Sequence, residues 1–378
     1  VYDGIKIECK VDNPRKWEET LQLVGRHSNA TGEVLPLPSD CHVSACTFNR
    51  IPTLTGHRHT LQGSLHKFYK SGGENDDDYN LAQVCETFKR LESQFSINPR
   101  YSKVINFEFG VNINLPPGVY AQDFQKYLVA AYTKPFEKLN PKRPAVGYIA
   151  EFHDFSIKVY DKGYLAKNGN TDQIRVEIKV NRTRWLDQYG FNKKKDLYLS
   201  DLLDQDNIKI LGDILAQKVR SLILTPRQID TSKLSPKQRL TFYECRDARS
   251  WEEWTSKQRE RKRKQLASIF EKANQPDPVD VLARLVNEKW QELTTIRPVQ
   301  PEESKTRKKV RISTLIVAGI RDLLRYFLKS HEHDHRQFYH VHSPRGTPLP
   351  RPPTPNLLTG FSRWIDLNCR SPPTHTIN

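Results

Sequence analysis

Three segments stand out by strict alternation of apolar and polar residues, the mark of strands with one buried face. In VINFEFGVNINLP (104–116), Ile105, Phe107, Phe109, Val111 and Ile113 share one face. Asn106, Glu108, Gly110, Asn112 and Asn114 share the other, and Pro116-Pro117 ends the strand. In QIRVEIKV (173–180), Ile174, Val176, Ile178 and Val180 alternate with Arg175, Glu177 and Lys179. FSIKVYDKGY (155–164) turns Phe155, Ile157 and Val159 inward and leaves Ser156, Lys158, Tyr160 and Lys162 on the polar face, with Gly163 as breaker. GYIAEFHDFSIKVYDK (147–162) reads as two short strands forming a hairpin around His153-Asp154, with Glu151 and His153 on one face of the first. Upstream, 62–80 reads as a strand ending at Gly72-Gly73, then an acidic loop.

Elsewhere the period is helical. Leu81, Val84, Cys85, Phe88, Leu91 and Phe95 line one side of 81–97, with Asn80 as N-cap. A helix is also expected at 121–132. From about 196 the pattern is mostly helical, through 249–273, 279–295 and 313–329. The expected class is α+β, with helices covering the apolar side of a sheet and a mostly α-helical C-terminal region. Three parts are expected: 1–225, a basic helical region at 226–342, and an unstructured proline-rich tail at 343–378.

Charge narrows the partners. The 378 residues carry a formal net charge of +16, which favours a polyanion such as nucleic acid. The best apolar run, LIVAGI (315–320), lies between Arg311 and Arg321 and is far shorter than the roughly 20 residues that span a bilayer. No secretory signal pattern opens the chain, so the cytoplasm is the expected compartment. Six cysteines are scattered; Cys41 and Cys46 have no second pair to complete a zinc site and are expected to be free thiols.

If the three alternating strands are neighbours, their polar faces form one surface. It carries Glu108, Tyr160 and Glu177, flanked by Lys158, Lys162 and Arg175, with Glu151 and His153 one strand away. Gathered carboxylates are costly without positive charge between them. Lysine and arginine can supply it, and so can Mg²⁺ or Mn²⁺. A metal beside a tyrosine suits phosphodiester chemistry, with the metal polarising the phosphate and the phenol oxygen attacking. Two lysines on the same face are expected to favour the phenolate. The plain alternative is structural: tyrosines are common on strands, and cross-strand Glu–Lys and Glu–Arg pairs are ordinary stabilisers.

VYDKG followed by IRVEIKV resembles the signature of rolling-circle replication initiators of small plasmids and filamentous phages, and NFEFGVNI resembles the acidic strand that precedes it there. The resemblance spans roughly residues 60–225. It implies a fold like that of the HUH endonucleases, a central antiparallel sheet with helices on one face. It implies a metal-dependent nick of single-stranded origin DNA, leaving a 5′-phosphotyrosine and a 3′-hydroxyl primer. Carried onto this chain, Tyr160 is the nucleophile, Glu108 and Glu177 are metal ligands with Glu151 as a third candidate, and Lys162 and Lys158 are the cations at the phosphate. Tyr164 makes a Y-x-x-x-Y pair with Tyr160. His57-Arg58-His59 departs from the His-hydrophobe-His pattern of the HUH name, and His66 is a separate candidate ligand or acid. His340-Val341-His342 sits in a histidine cluster beside the proline-rich tail.

The helical half adds KQRERKRK (257–264) and KTRKKVR (305–311), cationic stretches able to neutralise phosphates. Arg175, Lys179, Arg261, Lys262 and Arg263 are the candidate DNA contacts. Single-stranded and duplex origin DNA, a host helicase and a second copy of the chain are the expected partners; no membrane is expected. The competing readings are a mobilisation relaxase, a non-catalytic basic DNA-binding protein, and a metal-dependent nuclease using Glu108, Glu151 and Glu177 that would survive Tyr160→Phe. No G-x-x-x-x-G-K-(S/T) loop is present, which argues against a self-powered helicase.

Overall fold

The computed structural model describes residues 1–23, 30–31, 39–115, 120–142, 146–166, 171–191, 196–226 and 229–295. The helix expected at 313–329, the basic run at 305–311, the histidine cluster and the proline-rich tail lie outside the described residues.

The order begins β1 (Tyr2–Cys9), α1 (Pro14–Leu21), β2 (Ser39–Val43), β3 (Cys46–Thr53), β4 (Gly56–Ser64), α2 (Leu65–Tyr69) and α3 (Leu81–Phe95). It continues β5 (Lys103–Asn114), α4 (Ala121–Gln125), β6 (Leu128–Ala131), β7 (Lys134–Pro135), β8 (Glu137–Lys138), β9 (Gly147–Glu151), β10 (Phe155–Asp161), α5 (Lys162–Ala166) and β11 (Gln173–Val180). Then come α6 (Gln205–Arg220), β12 (Leu222–Leu224), α7 (Pro236–Arg246), α8 (Ala248–Glu253), α9 (Ser256–Lys272) and α10 (Pro278–Thr294).

Nine strands form one sheet in the order β2-β3-β4-β1-β5-β11-β10-β9-β8, every described pairing antiparallel. The three alternating segments are therefore adjacent, β5 beside β11 beside β10. Of their inward residues, Phe107, Phe109, Val111, Val176, Ile178, Ile157 and Val159 are at most 1 % exposed. Helices cover that face. Trp290 of α10 meets Phe109 edge to face at 5.9 Å, and Phe95 of α3 stacks on Phe48 of β3 at 4.8 Å. Asn80 caps α3 as expected, in a reciprocal box with Gln83 that satisfies two otherwise orphaned amides.

Four expectations give way to tertiary packing. Ile105 does not join the apolar face: β1 pairs Lys6 with Asn106 but Ile7 with Val104, so a bulge turns Val104 inward instead. The strand expected to run to Gly72-Gly73 ends at Ser64, whose side chain caps α2. The helix expected over 121–132 stops at Gln125, and Leu128–Ala131 pairs with β12 in a small second sheet. Lys162 is not on the strand face, because β10 ends at Asp161 and Lys162 opens α5.

A separate apolar cluster joins Phe242, Cys245, Trp251, Leu266, Ile269 and Phe270 of α7 to α9 with Val129 and Ala130 of β6 and Ile223 of β12. Trp290 and Val286 of α10 belong to the main core. The five described cysteines are free. Among the described residues no helix is long and apolar enough to cross a membrane.

Candidate active site

Cross-strand register assembles the site. Tyr160 lies opposite Arg175 and Lys158 opposite Glu177, while Lys179 lies opposite both Ser156 and Glu108. Two glycines make the approach possible. A β-carbon on Gly147 would sit 2.2 Å from the Tyr160 β-carbon, and one on Gly110 would sit 2.2 Å from the Val176 carbonyl oxygen beside Glu177.

Glu177 is the hub, 1 % exposed. Its Oε1 accepts from Lys158 Nζ at 2.9 Å, and its Oε2 accepts from Tyr160 Oη at 3.0 Å and from Arg175 Nε at 2.7 Å. Lys158 Nζ also donates to Glu108 Oε1 at 2.8 Å. Arg175 continues to Asn112 Oδ1 at 3.0 Å, but its buried Nη2 makes no hydrogen bond, with Asp3 Oδ2 3.9 Å away. Lys162, though off the strand, is buried and donates to Asn75 Oδ1 at 2.8 Å; Asn75 Nδ2 in turn donates to Asp3 Oδ2.

Burial and these partners fix the charges. Burial would push the Glu177 carboxyl up, but Arg175 and then Lys158 hold it well below the usual carboxylate range. Burial opposes the Lys158 charge, yet Glu177 and Glu108 raise its pKa above the ordinary lysine value. Lys162 is lowered to about 8 by burial and by the Arg175 charge. Tyr160 is only 7 % exposed. Burial, then the Glu177 charge, push its phenol well above the ordinary value of 10.0. The expectation that lysines favour the phenolate is thereby corrected: Lys158 is turned to Glu108 and Glu177, and the Tyr160 hydroxyl points its proton at the same Glu177 carboxylate.

The other candidates separate. Glu151 is exposed and lies opposite Ser156. It is three strands from Glu108 in the same cross-strand row, about 14 Å at ordinary strand spacing, so it does not join the Glu108–Glu177 pair as a third ligand. His153 is not on a strand but in the β9–β10 turn, paired with Asp154 at 3.0 Å. Lys179 is 40 % exposed and 3.9 Å from Glu108. Tyr164, on α5, is 46 % exposed and its amide donates to Asp161. His66 is buried, stacked on Tyr79 and bonded to Asp77 at 2.9 Å. Burial holds His66 down at about 4, so it is neutral near pH 7 and is not an acid there. His57 and His59 lie on β4, where His59 packs against Trp17.

Two carboxylates bridged by an ammonium do not make a divalent site as they stand. Among the described residues no group of three His, Cys, Asp or Glu side chains is arranged to hold a metal ion. The donor set therefore does not fit the expected Mg²⁺ or Mn²⁺.

Sequence reading missed the loop that closes this end of the polar face. Glu74 pairs with Lys67 at 3.0 Å, Asp77 with Lys70 at 3.1 Å and with His66, and Asn75 with Lys162. Asn112 Nδ2 donates to the Asp77 carbonyl at 3.0 Å. The acidic run was visible, but no local signal ties Asn75 or Asp3 to Lys162.

The cationic helix α9 is split by its packing. Arg259 donates to the carbonyls of Trp251 and Trp254. Lys262 pairs with Glu244 and lies over the Trp254 ring at 5.2 Å. Arg263 donates to the carbonyls of Arg220 and Ser221 at the end of α6, over the Trp251 ring at 5.7 Å. Lys257, Arg261 and Lys264 face solvent. Of the three candidate DNA contacts here, Arg261 is the one placed outward, and Lys262 and Arg263 serve the helical cluster.

No protein-family model matches the chain, and no curated protein matches it. Among solved structures it is similar to a rolling circle replication initiator protein from Geobacillus stearothermophilus, at 13 % identity over 63 % of this chain and 89 % of that one, with a TM-score of 0.30. A likeness that distant does not bear on residue roles or activity.

Proposed function

We propose that this chain nicks single-stranded origin DNA through Tyr160, as a replication initiator does. One observation carries the reading. A buried phenol donates to a buried carboxylate, and Arg175, which shares that carboxylate oxygen, has a guanidinium nitrogen that makes no hydrogen bond. A phosphodiester oxygen is the natural acceptor for that nitrogen. The short motifs VYDKG and IRVEIKV, which contain Tyr160, Arg175 and Glu177, agree with it.

The Tyr160 proton passes to Glu177 Oε2 as Tyr160 Oη forms a bond to phosphorus. The phosphorus bond to the 3′-oxygen breaks, and that oxygen takes a proton from the Lys162 ammonium, leaving the 5′-phosphate on the tyrosine. Glu177 is a weak base while Arg175 and Lys158 both hold it. Drawing Arg175 toward the phosphate raises its proton affinity when substrate is bound. No metal enters the step, because the donor set does not fit one.

The second reading, a non-catalytic DNA-binding protein, is favoured by the closure of the same network, which holds Tyr160 as a neutral phenol. Covalent capture separates the two. Labelled single-stranded oligonucleotides covering the chain's own locus are incubated with wild type, Tyr160→Phe and Tyr164→Phe, and run on denaturing gels. An adduct absent only in Tyr160→Phe is expected. Binding without any adduct leaves the DNA-binding protein, and an adduct lost only in Tyr164→Phe moves the nucleophile to α5.

A further inference from the structure

Glu108 and Glu177 are the pair a divalent ion would bridge, and a cation already bridges them. Lys158 Nζ lies 2.8 Å from Glu108 Oε1 and 2.9 Å from Glu177 Oε1, with its side chain 14 % exposed. The positive charges already outnumber the negative ones here. Two carboxylates face Lys158, Arg175 at 2.7 Å and Lys179 at 3.9 Å. A divalent ion added here would bring two more positive charges into a buried cluster that has no excess of negative ones, a costly arrangement. Distances agree: Mg²⁺ takes oxygens at about 2.0–2.1 Å and usually keeps several waters, and a site this enclosed has Lys158 where the ion would stand.

We infer that the Lys158 ammonium is the resident cation of the Glu108–Glu177 pair, and that Mg²⁺ or Mn²⁺ binds there only when Lys158 is taken away. Lys158 is a positioning residue in this scheme. It holds Glu177 so that Oε2 remains aimed at the Tyr160 hydroxyl, and nicking then proceeds in the presence of a chelator. As a statement about nicking this rests on the proposed function; as a statement about the carboxylate pair it does not.

The test reads the pair directly. The full chain is titrated with Mn²⁺, free Mn²⁺ being followed by its electron paramagnetic resonance, in wild type, Glu108→Gln, Lys158→Met and Lys158→Met/Glu108→Gln. Wild type and Glu108→Gln are expected to bind Mn²⁺ equally. Lys158→Met is expected to bind one Mn²⁺ at least about tenfold more tightly than wild type, and the double variant to lose that gain. A wild-type Mn²⁺ site that Glu108→Gln abolishes overturns the inference, and this comparison holds even if Lys158→Met does not fold. A Lys158→Met protein with wild-type circular dichroism and no gain in Mn²⁺ binding overturns it as well. The adduct assay is separate, so failure of the nicking reading and failure of this one are distinguishable.

Discussion

Replacing Glu177 with glutamine removes the hub charge while keeping its shape. The carboxylate accepts three hydrogen bonds, from Lys158 at 2.9 Å, Arg175 at 2.7 Å and Tyr160 at 3.0 Å. At an effective dielectric of about 20, each of the two ion pairs is worth about 6 kcal/mol before desolvation. Desolvation takes back several kcal/mol per ion, so the intact cluster is of modest net value. Taking only the anion is different, because Lys158 and Arg175 remain buried with one carboxylate fewer. Breaking a buried pair this way costs about 3–5 kcal/mol. Glutamine still offers one carbonyl acceptor, which puts the loss near the lower end, a fall of about 5–10 °C in Tm. The sign with pH follows from the depressed Glu177 carboxyl. Its contribution is present above the unfolded carboxylate range and is lost as pH falls below it, so the gap between wild type and Glu177→Gln closes in acid. The assay is thermal melting by circular dichroism from pH 7 downwards, with Lys179→Gln as the solvent-facing control. A Glu177→Gln protein that melts with that control at pH 7, or a gap that widens in acid, refutes the reasoning.

Other outcomes follow from the same geometry. Lys162, lowered to about 8, loses its proton as pH rises through that value, so adduct yield is expected to fall there; Lys162→Arg should move the fall to higher pH, and an unmoved profile would remove Lys162 from the step. Neutralising the acidic loop with Glu74→Gln/Asp76→Asn/Asp77→Asn removes the acidic partners of Lys67 and Lys70 and is expected to tighten single-stranded DNA binding and steepen its salt dependence, read by fluorescence anisotropy. Removing Lys257, Arg261 or Lys264 should flatten the salt slope for duplex DNA by about one unit each with little change in Tm. Arg263→Ala should instead lower Tm, because its partners are the carbonyls at the end of α6. Gly147→Ala forces a β-carbon against Tyr160 and is expected to cost at least about 1–3 kcal/mol by thermal melting, with loss of any adduct.

Sequence alone determined the parts whose code is local. Period-two alternation named β5, β10 and β11 and the side chains on each face, because one buried face of a sheet leaves that imprint whatever the strand order. The helices α3, α6, α9 and α10 were legible for the same reason, through their own period, and α3 also through its Asn80 cap. Tertiary structure decided what lies across a strand or beyond a turn. It set Lys158 between Glu108 and Glu177, separated Glu151 from both, and bulged Ile105 out of the core, since register is a relation between strands. It put Leu128–Ala131 in a sheet against β12, where a helix was expected. It brought Asn75 and Asp3 to Lys162 from segments far away in the chain. It also turned half of a uniformly basic helix inward: Arg259, Lys262 and Arg263 meet carbonyls, an acid and tryptophan rings, whereas Lys257, Arg261 and Lys264 face water. Composition counts all six as equal charges; only packing decides which three are engaged by the helical cluster and which three are left to solvent.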